Sequence, residues 1–280
     1  MDMINKIVNY VDNFKDIYLI RNIISTIEVR VKRDADFEIN TVKNILNRLG
    51  RLRGKIVEAL LGAERKDIIA NVIYDHIRQK NHKIDNKTAI HLLSHLTDIS
   101  KIDDIFSEKD RQFNDREIHD IIFNSNATNF QTNLDYLGSK NLNNLSDDDV
   151  NHIIHVFSRQ HDTTKLKIFS LSLIKYKELT SGNVYSILYY NLEKQEYEII
   201  EQLGDNLNKL ESHHLPQLYK LALFRGSITY KIVMKLLKEY NIWDKINSED
   251  IRLCFEAIPK QDDLSYGGYI DTKVEVEKLA

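Results

Sequence analysis

The chain has 280 residues, 42% apolar and 29% charged, with a formal charge of −3. This balance fits a globular protein with a sizeable core and excludes a strong global pull toward nucleic acid or anionic membrane. Two prolines, nine glycines and one cysteine favour helices, leave no intramolecular disulfide and point to a reducing cytoplasmic setting.

The first ten residues, MDMINKIVNY, carry an acid where a signal peptide needs basic residues. No window of the chain reaches the roughly 18 consecutive apolar residues of a membrane span. Charge is uneven: residues 1–80 hold 15 Lys and Arg against 11 Asp and Glu.

Residues 3–27 have helical periodicity. The stretch IEVRVKR (27–33) alternates apolar and polar residues; with no second strand pattern nearby, it reads as a helix end and a basic loop. Helical spacing resumes over 41–49 and runs into GRLRGKIVEALLG (50–62). Two glycines and a lysine ahead of an apolar run suggest a phosphate loop. A Walker loop, however, needs four residues between its first glycine and the Gly-Lys pair, then Ser or Thr. Here only three residues lie between Gly50 and Gly54, and Ile56 follows Lys55. The glycines instead predict a helix end at Gly50 and a packing helix beyond it, with Ile56, Val57, Leu60 and Leu61 buried. No dinucleotide-binding glycine fingerprint occurs.

The stretch LRGKIVEALL resembles the arginine–glycine–basic helix start, followed by Glu-Ala-Leu, of helical-repeat regions in STAND-type antiviral NTPases. That resemblance implies a sensing arm in antiviral defence, not the ATPase motor. It covers only ten to fifteen residues and transfers no functional residue.

A polar break at 80–86 suggests a boundary. Beyond it an apolar residue, a capping residue and a second apolar residue five places on recur: IDNKTA (84–89), FNDREI (113–118), LSDDDV (145–150), LTSGNV (179–184), LESHHL (210–215) and INSEDI (246–251). The copies start 29, 32, 34, 31 and 36 residues apart, and a weaker one, FEINTV, lies at 37–42. The pattern is a helix N-terminus. Ser146, Thr180, Ser212 and Ser248 can accept from orphan amides, the leading apolar residue can staple the first turn, and first-turn acids suit the helix dipole. Pro216 is tolerated for the same positional reason.

Each start precedes an amphipathic run, such as Val150, Ile153, Ile154 and Phe157, and then a second apolar run. Units of 30–35 residues cannot bury their faces alone, so neighbours must stack. The expected fold is all-α: an irregular, HEAT- or armadillo-like solenoid of stacked antiparallel helix pairs. Tetratricopeptide and ankyrin signatures are absent. The expected organisation is an N-terminal helical segment at 1–83, the array at 84–260 and an extended tail at 261–280.

No catalytic constellation stands out. His91, His95 and Asp98 form one possible metal group, and His152, His155 and His161 a second, but solvated or hydrogen-bonded histidines explain both. Arg78–His82 is too short, and Arg111–His119 badly placed, for the Arg–His spacing of HEPN-type ribonucleases. The expected function is therefore a non-catalytic scaffold binding a protein partner, without metal or cofactor. Tyr219, Tyr240 and Trp243 are candidate anchors, because aromatic residues crowd the last repeats. The first alternative is nucleic-acid binding through Arg48, Arg51, Arg53, Lys55, Lys231, Lys235 and Lys238. A helical nuclease or metal-dependent enzyme using a histidine cluster is the second.

Overall fold

A computed structural model of the chain describes residues 17–30, 35–49, 52, 54–63, 65–108, 111–240, 249 and 252. Among these described residues are fourteen α-helices and two short 3-10 turns, and no strand occurs among them. The fold is all-α, as the pattern predicts.

The chain divides into two compact units, 1–144 and 145–280. Unit 1 contains α1 (Ile17–Arg30), α2 (Ala35–Arg48), α3 (Gly54–Leu60), α4 (Lys66–Gln79), α5 (Asn86–Leu93), α6 (Ile99–Phe106), α7 (Asp115–Asn124) and α8 (Phe130–Leu142). The polar break at 80–86 is the loop joining α4 to α5 inside this unit. Unit 2 contains α9 (Asp147–Arg159), α10 (Thr163–Tyr176), α11 (Ser181–Glu193), α12 (Glu198–Leu203), α13 (Leu215–Arg225) and α14 (Ser227–Glu239).

In each unit a helix packs on the next but one. The series α1–α3–α5–α7 forms one layer of unit 1, with α2–α4 and α6–α8 beside it; in unit 2 the layers are α9–α11–α13 and α10–α12. This alternation is what stacked helix pairs produce, because each pair buries its apolar face on its neighbours.

The recurring motif performs its predicted capping role at four places. Asp85, Asn114, Ser146 and Thr180 stand at the N-caps of α5, α7, α9 and α11, and each accepts from a first-turn amide. The leading residues Ile84, Phe113, Leu145, Leu179 and Leu210 are all buried. Two copies depart from the pattern. FEINTV lies inside α2, not at its start. At LESHHL, Glu211 rather than Ser212 heads a 3-10 turn that leads into α13, and His214 is buried.

A contact that the sequence reading missed ties successive motifs together. Arg111 lies two residues before Phe113 and donates from Nη2 to the Ile84 carbonyl at 2.8 Å. Lys177, two residues before Leu179, donates to the Leu145 carbonyl at 2.8 Å. Lys209, immediately before Leu210, donates to the Leu179 carbonyl at 2.8 Å. In all three cases a cation before one motif holds the carbonyl of the leading residue one repeat earlier. That carbonyl precedes the N-cap, so no intrahelical amide reaches it. Other polar links share the period: Tyr74 Oη donates to Asp104 and Thr180 Oγ1 to Asp147, spanning 30 and 33 residues.

Gly54 has a packing reason. A Cβ built there would lie 2.4 Å from Cγ and 2.7 Å from Cβ of Lys87, so the glycine permits the close approach of α3 to α5. Ile56, Val57, Leu60 and Leu61 are buried as predicted. α1 extends through 27–30, which makes that part of the alternating stretch helical.

Candidate functional site

The site lies at the C-terminal ends of α9 and α11, both in unit 2. Each helix ends in the same turn. His161 and Gln195 take left-handed backbone conformations, φ 57° and 63°. The following amides close the turn: Asp162 N bonds the Phe157 carbonyl at 3.1 Å, and Glu196 N the Asn191 carbonyl at 2.9 Å. These are Schellman closures with a non-glycine residue in the left-handed position. Asn81, after α4, repeats the turn in unit 1.

Between the two helix ends is a cleft of about 450 Å³. His155 and Tyr190 form one wall, with Nδ1 2.7 Å from the phenol oxygen and the rings edge-on at 5.5 Å. Tyr189 stands perpendicular to Tyr190, with centroids 5.2 Å apart. Burial raises the pKa of both phenols above its ordinary value, so they stay neutral hydroxyls at physiological pH. Tyr185 continues the aromatic row along α11; burial pushes its phenol up to about 12, and it stacks on His214 at 4.6 Å.

The charged groups around the cleft are unequally committed. Arg225 Nη2 donates to one oxygen of Glu193 at 3.1 Å and Ser158 Oγ to the other at 3.1 Å. Each oxygen of that carboxylate thus has one donor. Among the described residues Lys194 Nζ meets only the His161 Nδ1, at 3.4 Å. Arg159 is exposed and has no carboxylate partner among the described residues. The cleft thus combines neutral phenols and two imidazole rings with two cations that have no acid partner among the described residues. Beyond Arg225, Phe224 and Ile228 flank the α13–α14 turn and are 58% and 62% exposed.

The other sequence-derived candidates are dispersed. Tyr219 is only 4% exposed and packs edge-on against Tyr230, so its ring belongs to the core and offers no surface to a partner. Tyr240 caps the C-terminus of α14 and is half-buried. Trp243, Arg51, Arg53 and Cys254 lie outside the described residues, as do Ser248 and the 261–280 tail. Arg48 is half-buried in the last turn of α2, and Lys55 is exposed in the first turn of α3. Lys231, Lys235 and Lys238 are exposed on α14, with Lys235 3.6 Å from Glu239.

Of the second histidine group, His155 and His161 reach the cleft, while His152 is exposed on α9. In the first group, burial lowers His91 and pushes His95 down to about 4, which favours neutral rings. Asp98 is spent capping α6, accepting from the Ser100 amide and hydroxyl. No group of three or more His, Cys, Asp or Glu gathers for a metal among the described residues. Arg111, 3% exposed, directs its guanidinium to carbonyls, Asn86 and Glu108, a structural use.

Fold and cleft define a class: an all-α stacked-helix protein with an aromatic, cation-bearing surface site. No described helix is long and apolar enough to cross a membrane. No protein-family model, curated protein or solved structure matches the chain.

Proposed function

We propose that this chain is a non-catalytic, HEAT-like helical-repeat scaffold that binds a protein partner through the helix ends of α9, α11 and α13. The observation that carries the reading is the side-chain set gathered there. Tyr189, Tyr190 and Arg159 line the cleft, Arg225 bonds its Glu193, and Phe224 and Ile228 are exposed next to Arg225. Buried aromatic and arginine anchors dominate protein interfaces, and large apolar side chains held in water are stabilised by being covered. The resemblance of residues 52–61 to STAND-type repeat regions is consistent with a sensing or adaptor role in antiviral defence.

The test is affinity capture from nuclease-treated lysate with wild type and a Phe224→Ala, Ile228→Ala variant. Both residues are exposed, so the variant should keep its melting temperature and lose the captured protein. Capture that needs nucleic acid and fails in Lys231→Glu, Lys235→Glu would favour the nucleic-acid reading instead.

A further inference from the structure

We propose that the cleft between the ends of α9 and α11 binds an oxyanion, a carboxylate or a phosphate, carried on an acidic segment of the partner. This rests on the protein-partner reading and names the chemistry the site selects.

Three observations converge. First, charge is left over. Glu193 is the acid of the cleft, and Arg225 and Ser158 hold both its oxygens. Arg159 and Lys194 therefore face the cleft without an acid to neutralise them, and an oxyanion supplies the missing charge. Elsewhere in unit 2 some cations have acids, Lys167 with Glu196 and Glu198 and Lys235 with Glu239, whereas Lys231 and Lys238 on α14 have none among the described residues but also line no part of the cleft.

Second, the geometry is prepared. Schellman closures after both helices satisfy terminal carbonyls, so the helix ends do not need these side chains as caps. His155 Nδ1 lies 2.7 Å from the Tyr190 hydroxyl; in the tautomer that carries its proton on Nδ1 the ring donates to the phenol oxygen and the phenol proton is left for an anion beside the cations. Hydroxyl, guanidinium and ammonium donors are the complement of an oxyanion, and arginine matches carboxylate or phosphate through its planar fork.

Third, about 450 Å³ exceeds one phosphate or carboxylate, so the cleft also has room for the atoms flanking the anion. Tyr189 and Tyr190 supply apolar faces for those atoms.

The test uses the full chain and three fluorescein-labelled hexapeptides: one of four glutamates between glycines, one with a single phosphoserine among glycines and serines, and one of lysines. Fluorescence anisotropy should show binding of an acidic peptide and not of the lysine peptide. The preferred acidic peptide tells carboxylate from phosphate. Arg159→Glu with Lys194→Glu should weaken that binding at least tenfold. Lys231→Glu with Lys235→Glu, an equal charge change on α14, should leave it within twofold.

Absence of binding by both acidic peptides overturns the proposal, and so does equal weakening by the two charge reversals, which would indicate diffuse attraction. A cleft variant that melts earlier yet binds normally also overturns it, because its cations then serve only the helix ends. Glutamine-neutralised variants, Arg159→Gln and Lys194→Gln, provide the same comparison should the reversals fail to fold. If the peptides fail while Phe224-dependent capture persists, the partner reading survives without this chemistry.

Discussion

Replacing Lys177 by Met isolates the inter-repeat latch. Methionine keeps a comparable unbranched stem and removes the ammonium that bonds the Leu145 carbonyl at 2.8 Å. Leu145 is buried, and its carbonyl stands before the N-cap of α9, where no helical amide can replace the lost donor. A hydrogen bond to a charged group contributes about 1.5–3 kcal/mol, and ordering a lysine side chain costs up to about 2 kcal/mol. The net loss should be about 1 kcal/mol, near the lower end because water can reach a half-buried site. Lys209→Met should cost a similar amount through the Leu179 carbonyl. The two latches meet at one loop, since Lys177 donates from just before Leu179 and Leu179 accepts from Lys209. The double variant should therefore deviate from additivity by about 0.5 kcal/mol or more. Urea titration followed by circular dichroism measures all three, with exposed Lys231→Met as a control expected within about 0.5 kcal/mol of wild type. If Lys177→Met matched that control, the latch would be a contact without energetic weight, and the argument that it registers one repeat on the next would fail.

Gly54→Ala should destabilise by about 1–2 kcal/mol through overpacking, although alanine is ordinarily the better helix former. The new Cβ would meet the Lys87 stem, so Lys87→Gly should recover part of the loss beyond additivity; a stabilised Gly54→Ala would refute the close-approach explanation. For pH, burial pushes the His214 imidazole down to about 4, and its Nδ1 accepts from the Glu211 amide at 3.2 Å, which requires the neutral ring. The unfolded histidine titrates near 6.5 and takes up its proton first. Its contribution is thus complete above about pH 6.5 and is lost as pH falls toward 4, by on the order of 3 kcal/mol at most. His214→Gln retains an acceptor and should flatten that acid-side fall in urea titrations between pH 7 and 4; an unchanged slope would contradict the assignment.

Helix starts were legible in the sequence because their signals are local. An N-cap needs one side chain and an amide two or three residues on, so Asp85, Asn114, Ser146 and Thr180 can be read within six-residue windows. Burial of the leading residues follows from the same windows. Ser212 failed because Glu211 and the His214 ring supply an alternative reciprocal cap, which favours a 3-10 turn before α13. Tyr219 misled for a different reason. Aromatic density marks an interface or a core equally well, and only packing against Tyr230 separates the two.

The cleft escaped because its members meet across repeats, about 34 residues apart, where local windows cannot see. The repeat period nevertheless contained the information. Offsetting the α9 end by 34 residues aligns His155 with Tyr189, Arg159 with Glu193, and His161 with Gln195. The last pair share the left-handed turn. The middle pair bring opposite charges to equivalent positions, which by itself predicts an Arg159–Glu193 ion pair and a neutral surface. That expectation fails because Arg225, at the end of α13, reaches back to Glu193. A stacked array presents equivalent positions to both neighbours, so an acid in a middle repeat can serve the repeat before it or the one after. Here its ion pair is with the one after, while the one before supplies only the neutral Ser158 hydroxyl, and the cation of the repeat before is left facing solvent beside two tyrosines. The unpaired Arg159 is thus a consequence of how one acid is shared along the stack, and the charge it leaves open is the basis of the proposed anion site.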